Sequence, residues 1–134
     1  MREIEQSRFV RQTPRELDRL LDPGQIIAYE GSFTVESTAE TDDGTLVTVS
    51  GPGLAFTVRF EPIERGYYYT QAGTDGPFEA METWLTFTAE NEGARVSMRS
   101  KVSLGLPLPF SDRIAAWKRK GELKRVLDRI ETSP

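Results

Sequence analysis

Chemistry in this chain falls to Asp, Glu, Tyr, Lys and Arg, because it has no cysteine and no histidine. Thiolate nucleophiles, Ser-His-Asp triads, disulfides, zinc fingers and His-ligated metals are excluded with them, and neither a metal nor a cofactor is expected. Three places could still carry a reaction or hold a polar group. In Tyr67-Tyr68-Tyr69, alternation puts at least one hydroxyl on each face of a strand. Glu79 and Glu82 flank Met81 and could work as an acid/base pair if Glu82 pointed inward, although strand alternation turns it outward. Arg8, on the inner side of a first strand, could anchor an anion, since a buried guanidinium needs a partner.

The elements that must position these residues read clearly. Residues 2–11 alternate, with Ile4, Gln6, Arg8 and Val10 on one side, which predicts a strand. Thr13-Pro14-Arg15-Glu16 spells an N-cap, a first-position proline and a capping box, and Leu17, Leu20 and Leu21 follow as an apolar stripe. Asp22-Pro23-Gly24-Gln25 opens a second short helix, which ends at Gly31. From Ser32 to Leu104 the period is two. Phe33, Val35, Ser37 and Ala39 share a face; so do Val47 and Val49, then Leu54, Phe56, Val58 and Phe60, then Met81, Thr83, Leu85 and Phe87, then Val96, Met98, Ser100 and Val102. Turns fall at Asp42-Asp43-Gly44, Gly51-Pro52-Gly53, Glu64-Arg65-Gly66, Gly73 to Pro77, and Glu90 to Gly93. Strands joined this tightly form an antiparallel meander with one buried face, and that face needs a cover.

The stretch Phe110–Ile130 supplies it. Leu123, Val126, Leu127 and Ile130 lie on one helical face. Phe110, Ile114 and Trp117 are also at helical spacing but point elsewhere on the wheel, with Gly121 at the changeover. This predicts one long helix that bends or changes partner near Gly121. Arg113, Lys118, Arg119, Lys120, Lys124 and Arg125 make its other side basic, the pattern of a solvated face or of a weak contact with an anionic membrane or acidic partner.

Composition agrees with a globular chain. Its 134 residues suit one domain spanning 1–134. Charged residues at 28% and apolar ones at 37% are ordinary. A net charge of −4 argues against nucleic acid as a partner. There is no apolar run for stable membrane insertion and no apolar signal core after Met1, so a cytoplasmic protein is expected.

The order β-αα-ββββββ-α resembles the helix-grip fold of the SRPBCC superfamily, which includes START lipid-transfer domains, the birch-pollen allergen type, polyketide cyclase/dehydrase-like proteins and the plant abscisic-acid receptors. The resemblance spans the chain and rests on the entry from Ser7 to Leu17, with its Thr13-Pro14-Arg15-Glu16 helix start, and on the last helix after a Pro-containing loop. It implies an α+β fold, a curved seven-stranded antiparallel sheet around a long C-terminal helix, with two short helices after strand 1. It also implies a hydrophobic cavity between sheet and helix, gated by Ser50 to Gly53 and Gly73 to Pro77. The charged cavity lysine of the receptors has no counterpart here. A fatty-acid-binding barrel would need about ten strands and no terminal helix.

The expected function is to bind or carry a small hydrophobic, lipid-like or polyketide-like molecule. The inferred cavity lining is Phe56, Val58, Phe60, Tyr68, Met81, Leu85, Phe87, Met98, Ile114 and Trp117, since aromatic and Met side chains adapt to apolar ligands. Two other classes remain open: a polyketide cyclase/dehydratase-like enzyme using Tyr68, Glu82 or Arg8, and a protein-interaction domain whose outward Trp84 could also join two copies.

Overall fold

A computed structural model describes residues 1–108 and 110–133. The elements are β1 (Arg2–Val10), α1 (Pro14–Leu20), α2 (Pro23–Glu30), β2 (Thr34–Glu40), β3 (Thr45–Gly51), β4 (Leu54–Ile63), β5 (Gly66–Ala72), β6 (Ala80–Glu90), β7 (Gly93–Ser103) and α3 (Ser111–Thr132). All seven strands form one antiparallel sheet in the order β1-β7-β6-β5-β4-β3-β2. β2 to β7 are the expected meander. β1 crosses over to pair with β7, from Arg2 opposite Val102 to Val10 opposite Ala94.

Local chemistry sets the helix starts. The Thr13 hydroxyl accepts from the Glu16 N–H at 3.2 Å, and the Glu16 carboxylate accepts from the Thr13 N–H at 3.1 Å. Asp22 accepts from the Gln25 N–H at 2.8 Å. Together these satisfy helix N–H groups that have no partner within their own helices.

The inner face of the sheet is the alternation made solid: Val47, Val49, Phe56, Val58, Phe60, Met81, Leu85, Phe87, Val96, Met98 and Val102 are all buried. α3 lies across β1 and β7 and against α2, and Leu123, Val126, Leu127 and Ile130 on it are fully enclosed. Its far end is tied down from β1 and the turn after it. Arg8 donates to Asp128, and to Glu131 at 3.5 Å. The Gln12 amide donates to the Ile130 carbonyl at 3.1 Å.

Three expectations change. In β2 the register shifts between Val35 and Ser37, a bulge that breaks the alternation, and Ser37 and Ala39 are exposed on this edge strand. In β5 the phase of the tyrosine run is opposite to the one inferred. Tyr67 sits opposite Leu85 and Tyr69 opposite Thr83, both inward, while Tyr68 sits opposite the outward Trp84. Three identical residues carry no polar/apolar signal, so cross-strand register alone decides their faces. Finally, α3 runs unbroken through Gly121, and one inward stripe spans both of its halves. It continues N-terminally as Glu122, Arg119, Ala116, Ala115 and Ser111, so Ile114 and Trp117 face away from the sheet.

Candidate functional site

Arg119 comes off α3 into the space between the helix and the sheet, and only 1% of it is exposed. A guanidinium taken out of water this completely must have all five N–H groups met, and the surrounding elements meet them. Nη1 lies 2.8 Å from Glu30 Oε1 and 2.9 Å from Glu122 Oε1. Nη2 donates to Thr83 Oγ1 at 2.7 Å and to the Tyr69 hydroxyl at 3.3 Å. Nε donates to Ser100 Oγ at 3.2 Å.

Each partner is delivered by its element's periodicity. Glu30 ends α2, one turn beyond the buried Ile26 and Ile27. Glu122 is one turn beyond Arg119 on α3. Tyr69, Thr83 and Ser100 are inward positions of β5, β6 and β7, and all are fully buried. The network closes on itself. The Tyr69 hydroxyl donates to Glu30 Oε2 at 2.6 Å, Ser32 donates to Glu122 Oε2, and the Thr83 and Ser100 hydroxyls are 2.8 Å apart.

Two carboxylates face one guanidinium. Burial pushes the Glu30 carboxyl up, the negative charge of Glu122 adds to this, and Arg119 opposes it. Burial also raises the Tyr69 hydroxyl, with Glu30 beside it, and keeps it protonated. Burial works against the Arg119 charge, but Glu30, Tyr69 and Glu122 outweigh it.

A pH dependence follows from Glu30. Its folded pKa lies above the unfolded one, so between the two the folded chain holds a proton that the unfolded chain has released. That stability is fully present below the ordinary Glu value of about 4.3 and is lost as pH rises through the raised value. Denaturation midpoints should therefore decline as pH rises from the ordinary Glu value to the raised one and level off beyond it, and Glu30→Gln should flatten the decline. An unchanged slope in the variant would show that Glu30 ionises freely. Three other carboxyls run the opposite way: hydrogen bonds hold Glu16, Glu90 and Asp112 below their ordinary values, and such groups lose stability only at more acid pH.

Beside the cluster is a small apolar void of about 20 Å³, lined by Ile27, Phe33, Val49, Phe56, Val58, Met81 and the loop residues Pro77 and Phe78, with Glu30, Arg119 and Glu122 at its polar side. It has room for about one water molecule. Phe33 and Phe56 meet edge to face at 4.9 Å. Phe78 is held by Gln71, whose amide accepts from the Phe78 N–H at 3.1 Å and donates to its carbonyl at 2.6 Å. The β5–β6 loop carrying Phe78 is one of the two loops expected to gate a cavity.

The inferred lining divides in three. Phe56, Val58 and Met81 do border the void. Phe60, Leu85, Phe87 and Met98 are close-packed core that does not reach it. Tyr68, Ile114 and Trp117 are elsewhere. The Tyr68 hydroxyl donates to Glu82 at 2.6 Å on the outer face, where burial and that carboxylate push it up to about 12. Ile114 and Trp117 are 60% and 78% exposed. Arg8 and Glu82 are likewise outside the cluster. Trp84 is half-buried among Tyr68, at 5.1 Å between rings, and Arg99, 4.2 Å above its ring. Arg119 leaves the solvated basic face to which its charge assigns it in the sequence. Counting back by three or four from Ile130 through Leu127 and Leu123 lands on it, so its inward position is legible and its charge hides it.

No protein-family model matches the sequence, and no curated protein matches it. Solved structures do. TTHA0849 from Thermus thermophilus superposes with a TM-score of 0.66 at 18% identity, over 96% of this chain and 97% of that one. A START superfamily protein from Mycobacterium smegmatis gives 0.65 at 15%, over 96% and 97%. Ara h 8.0201 gives 0.66 at 16%, over 98% and 99%. The fold is the helix-grip fold that these structures share. At these identities the likeness speaks for architecture: the helix-grip arrangement aligns end to end, and function must come from the site.

Proposed function

We propose that this helix-grip chain binds a small, largely apolar molecule between α3 and the sheet, with the polar end of the molecule against the Arg119 cluster. The observation that carries the reading is a saturated buried ion cluster forming one wall of an otherwise apolar void that the Pro77–Phe78 loop borders. As closed, the void is too small for such a ligand, so binding requires the Pro77–Phe78 loop to lift and Phe78 to leave its place. Gly73 and Gly76 lie just ahead of the moving pair.

The cluster also sets the ligand's polarity. Every N–H of Arg119 is already engaged, so the guanidinium has nothing left for an incoming anion. The carboxylate oxygens of Glu30 and Glu122 each accept one bond and retain a lone pair. An incoming group must therefore donate: a hydroxyl, or an amine whose positive charge balances the second carboxylate. A fatty carboxylate is disfavoured.

Native mass spectrometry of freshly purified protein, followed by solvent extraction, tests the carrier reading directly, and a reproducible adduct of a few hundred daltons is the expected result. In parallel, dodecylamine and dodecanol should displace the fluorescent probe N-phenyl-1-naphthylamine, and dodecanoate should do so at least about ten-fold less well, the value of one unmet polar contact. Phe56→Trp should fill the void and abolish probe binding without unfolding the chain, whereas Phe78→Ala should open the void and strengthen binding. Probe binding that Phe56→Trp leaves intact would place the ligand elsewhere.

A second reading has its own observation. The Glu30 carboxyl, pushed up by burial and in contact with Tyr69, is a buried titratable group beside a void, which an acid/base enzyme could use. Release of an altered molecule, rather than recovery of the one supplied, would favour it. The groups that the sequence suggests for such an enzyme, Tyr68, Glu82 and Arg8, face solvent or the rim. For a contact through Trp84, the chain's own Tyr68 and Arg99 already cover much of the ring.

A further inference from the structure

α3 has a second face, and nothing in the ligand reading uses it. Large apolar side chains stand in solvent along the N-terminal half of the helix and the loop before it: Leu106, Leu108, Phe110, Ile114 and Trp117, each more than half exposed. The loop is held against the helix start, since the Ser111 N–H and hydroxyl donate to the Leu108 and Leu106 carbonyls at 3.2 Å each. Soluble surfaces tolerate single exposed apolar residues, but a contiguous set marks a contact.

The charges beside this patch select the occupant. The chain as a whole carries −4, yet every exposed charge on α3 ahead of Asp128 is positive: Arg113, Lys118, Lys120, Lys124 and Arg125. The acidic residues of that half are turned away. Asp112 pairs with the Met1 amino group at 3.0 Å, and Glu122 is buried beneath Arg119. Trp117, Lys118, Lys120, Gly121, Lys124 and Arg125 line a shallow surface groove of about 390 Å³. Gly121, which costs helix stability, leaves the floor of that groove bare.

We propose that this face docks on an anionic lipid surface, with Leu106, Leu108, Phe110, Ile114 and Trp117 entering the headgroup layer and the basic groove meeting lipid phosphates. A helix with apolar and aromatic residues on one stripe and Lys/Arg beside it lies in such an interface without crossing it, and no helix among the described residues is long and apolar enough to cross. A second copy of this chain fits poorly, because a two-fold contact would set the lysines of one copy against those of the other. The proposal does not depend on the ligand site.

Co-sedimentation of the intact chain with vesicles tests it. Phosphatidylcholine vesicles containing about 30% phosphatidylglycerol should take up the protein at low salt, with a blue shift in tryptophan emission. Pure phosphatidylcholine should not, and salt near 0.5 M should release it, because the Debye length shrinks to a few ångströms. Replacing Lys118, Lys120 and Lys124 together by Gln should weaken partition about a hundred-fold, at roughly five-fold per charge. Trp117→Ala should weaken it ten-fold or more and remove most of the blue shift. All four side chains are exposed, so thermal midpoints should stay put and the variants remain folded. Failure to bind anionic vesicles at low salt would overturn the proposal, as would equal binding to neutral ones or binding indifferent to Trp117→Ala. A concentration-dependent dimer abolished by Trp117→Ala, with no vesicle uptake, would assign the face to a second copy instead.

Discussion

Arg119→Met is expected to lower the unfolding free energy by about 3–5 kcal/mol, the cost of leaving buried charge without its partner. Methionine has a similar reach and packs well, so lost volume is a minor part of the effect. What remains is Glu30 and Glu122, both buried, with no cation between them, and Tyr69, Thr83 and Ser100 each short of a donor. With a urea slope of about 1–3 kcal/mol per molar, the midpoint should fall by roughly 2 M. The origin of the effect can be isolated. Replacing Arg119, Glu30 and Glu122 together by apolar residues of similar size should recover most of the loss, because a buried ion cluster gives back in mutual attraction little more than its desolvation costs. An Arg119→Met protein as stable as the parent would mean that the cluster is hydrated and open, and the donor-selective ligand reading would fall with it.

Gly66→Ala should be nearly as damaging, by at least about 3 kcal/mol, combining an overpacked sheet with a strained backbone. Gly66 opens β5 at φ 153°, and a Cβ there would stand 1.9 Å from the Leu85 carbonyl oxygen and 2.9 Å from its carbon. Those are backbone atoms of the neighbouring strand, so no rotamer change relieves the clash and β5 and β6 must part where Gly66 pairs with Thr86. Three residues on, Tyr69 would carry that displacement into the Arg119 cluster. Gly53→Ala is the control. It also has a positive φ, 69°, but a Cβ there meets nothing within 4 Å, so it should cost only about 1–2 kcal/mol for the left-handed conformation. Equal losses at the two positions would mean that conformation rather than the close approach sets the cost at Gly66.

The fold is legible because its signals are local. Thr13 and Asp22 announce helix starts in four residues each, and strands β3, β4, β6 and β7 alternate strictly enough to assign both faces. The site is not, for reasons that differ by residue. Tyr69 is hidden by its neighbours, since Tyr67 and Tyr68 offer the same side chain in either phase. Glu30 lies on the buried side of α2, one turn past Ile26, but a carboxylate at a helix end reads as solvated. Arg119 sits in register with Leu123 and Ile130, and reading by residue type overrules reading by position. Ile114 and Trp117 fail in the opposite sense: apolar residues off the stripe read as lining when they are surface. Charge at an inward position and bulk at an outward one are the departures by which a functional site contradicts the pattern around it.

The pairing of β1 with β7 also constrains how the chain is made. β1 leaves the ribosome well before β7 and cannot pair until β7 appears, with Arg2 opposite Val102 and Val10 opposite Ala94, and its inner side stays uncovered until α3 follows. At about 5–20 residues per second, that wait lasts several seconds or more. For all of it, an unpaired strand and the growing apolar face of β3 to β6 are exposed to any aggregation partner. The charges along β1, Arg2, Glu3, Glu5 and Arg8, are suited to that interval, because a charged strand is a poor template for a stray edge. β1 is therefore paired along its edge and covered on its inner side only once β7 and α3 have both been made.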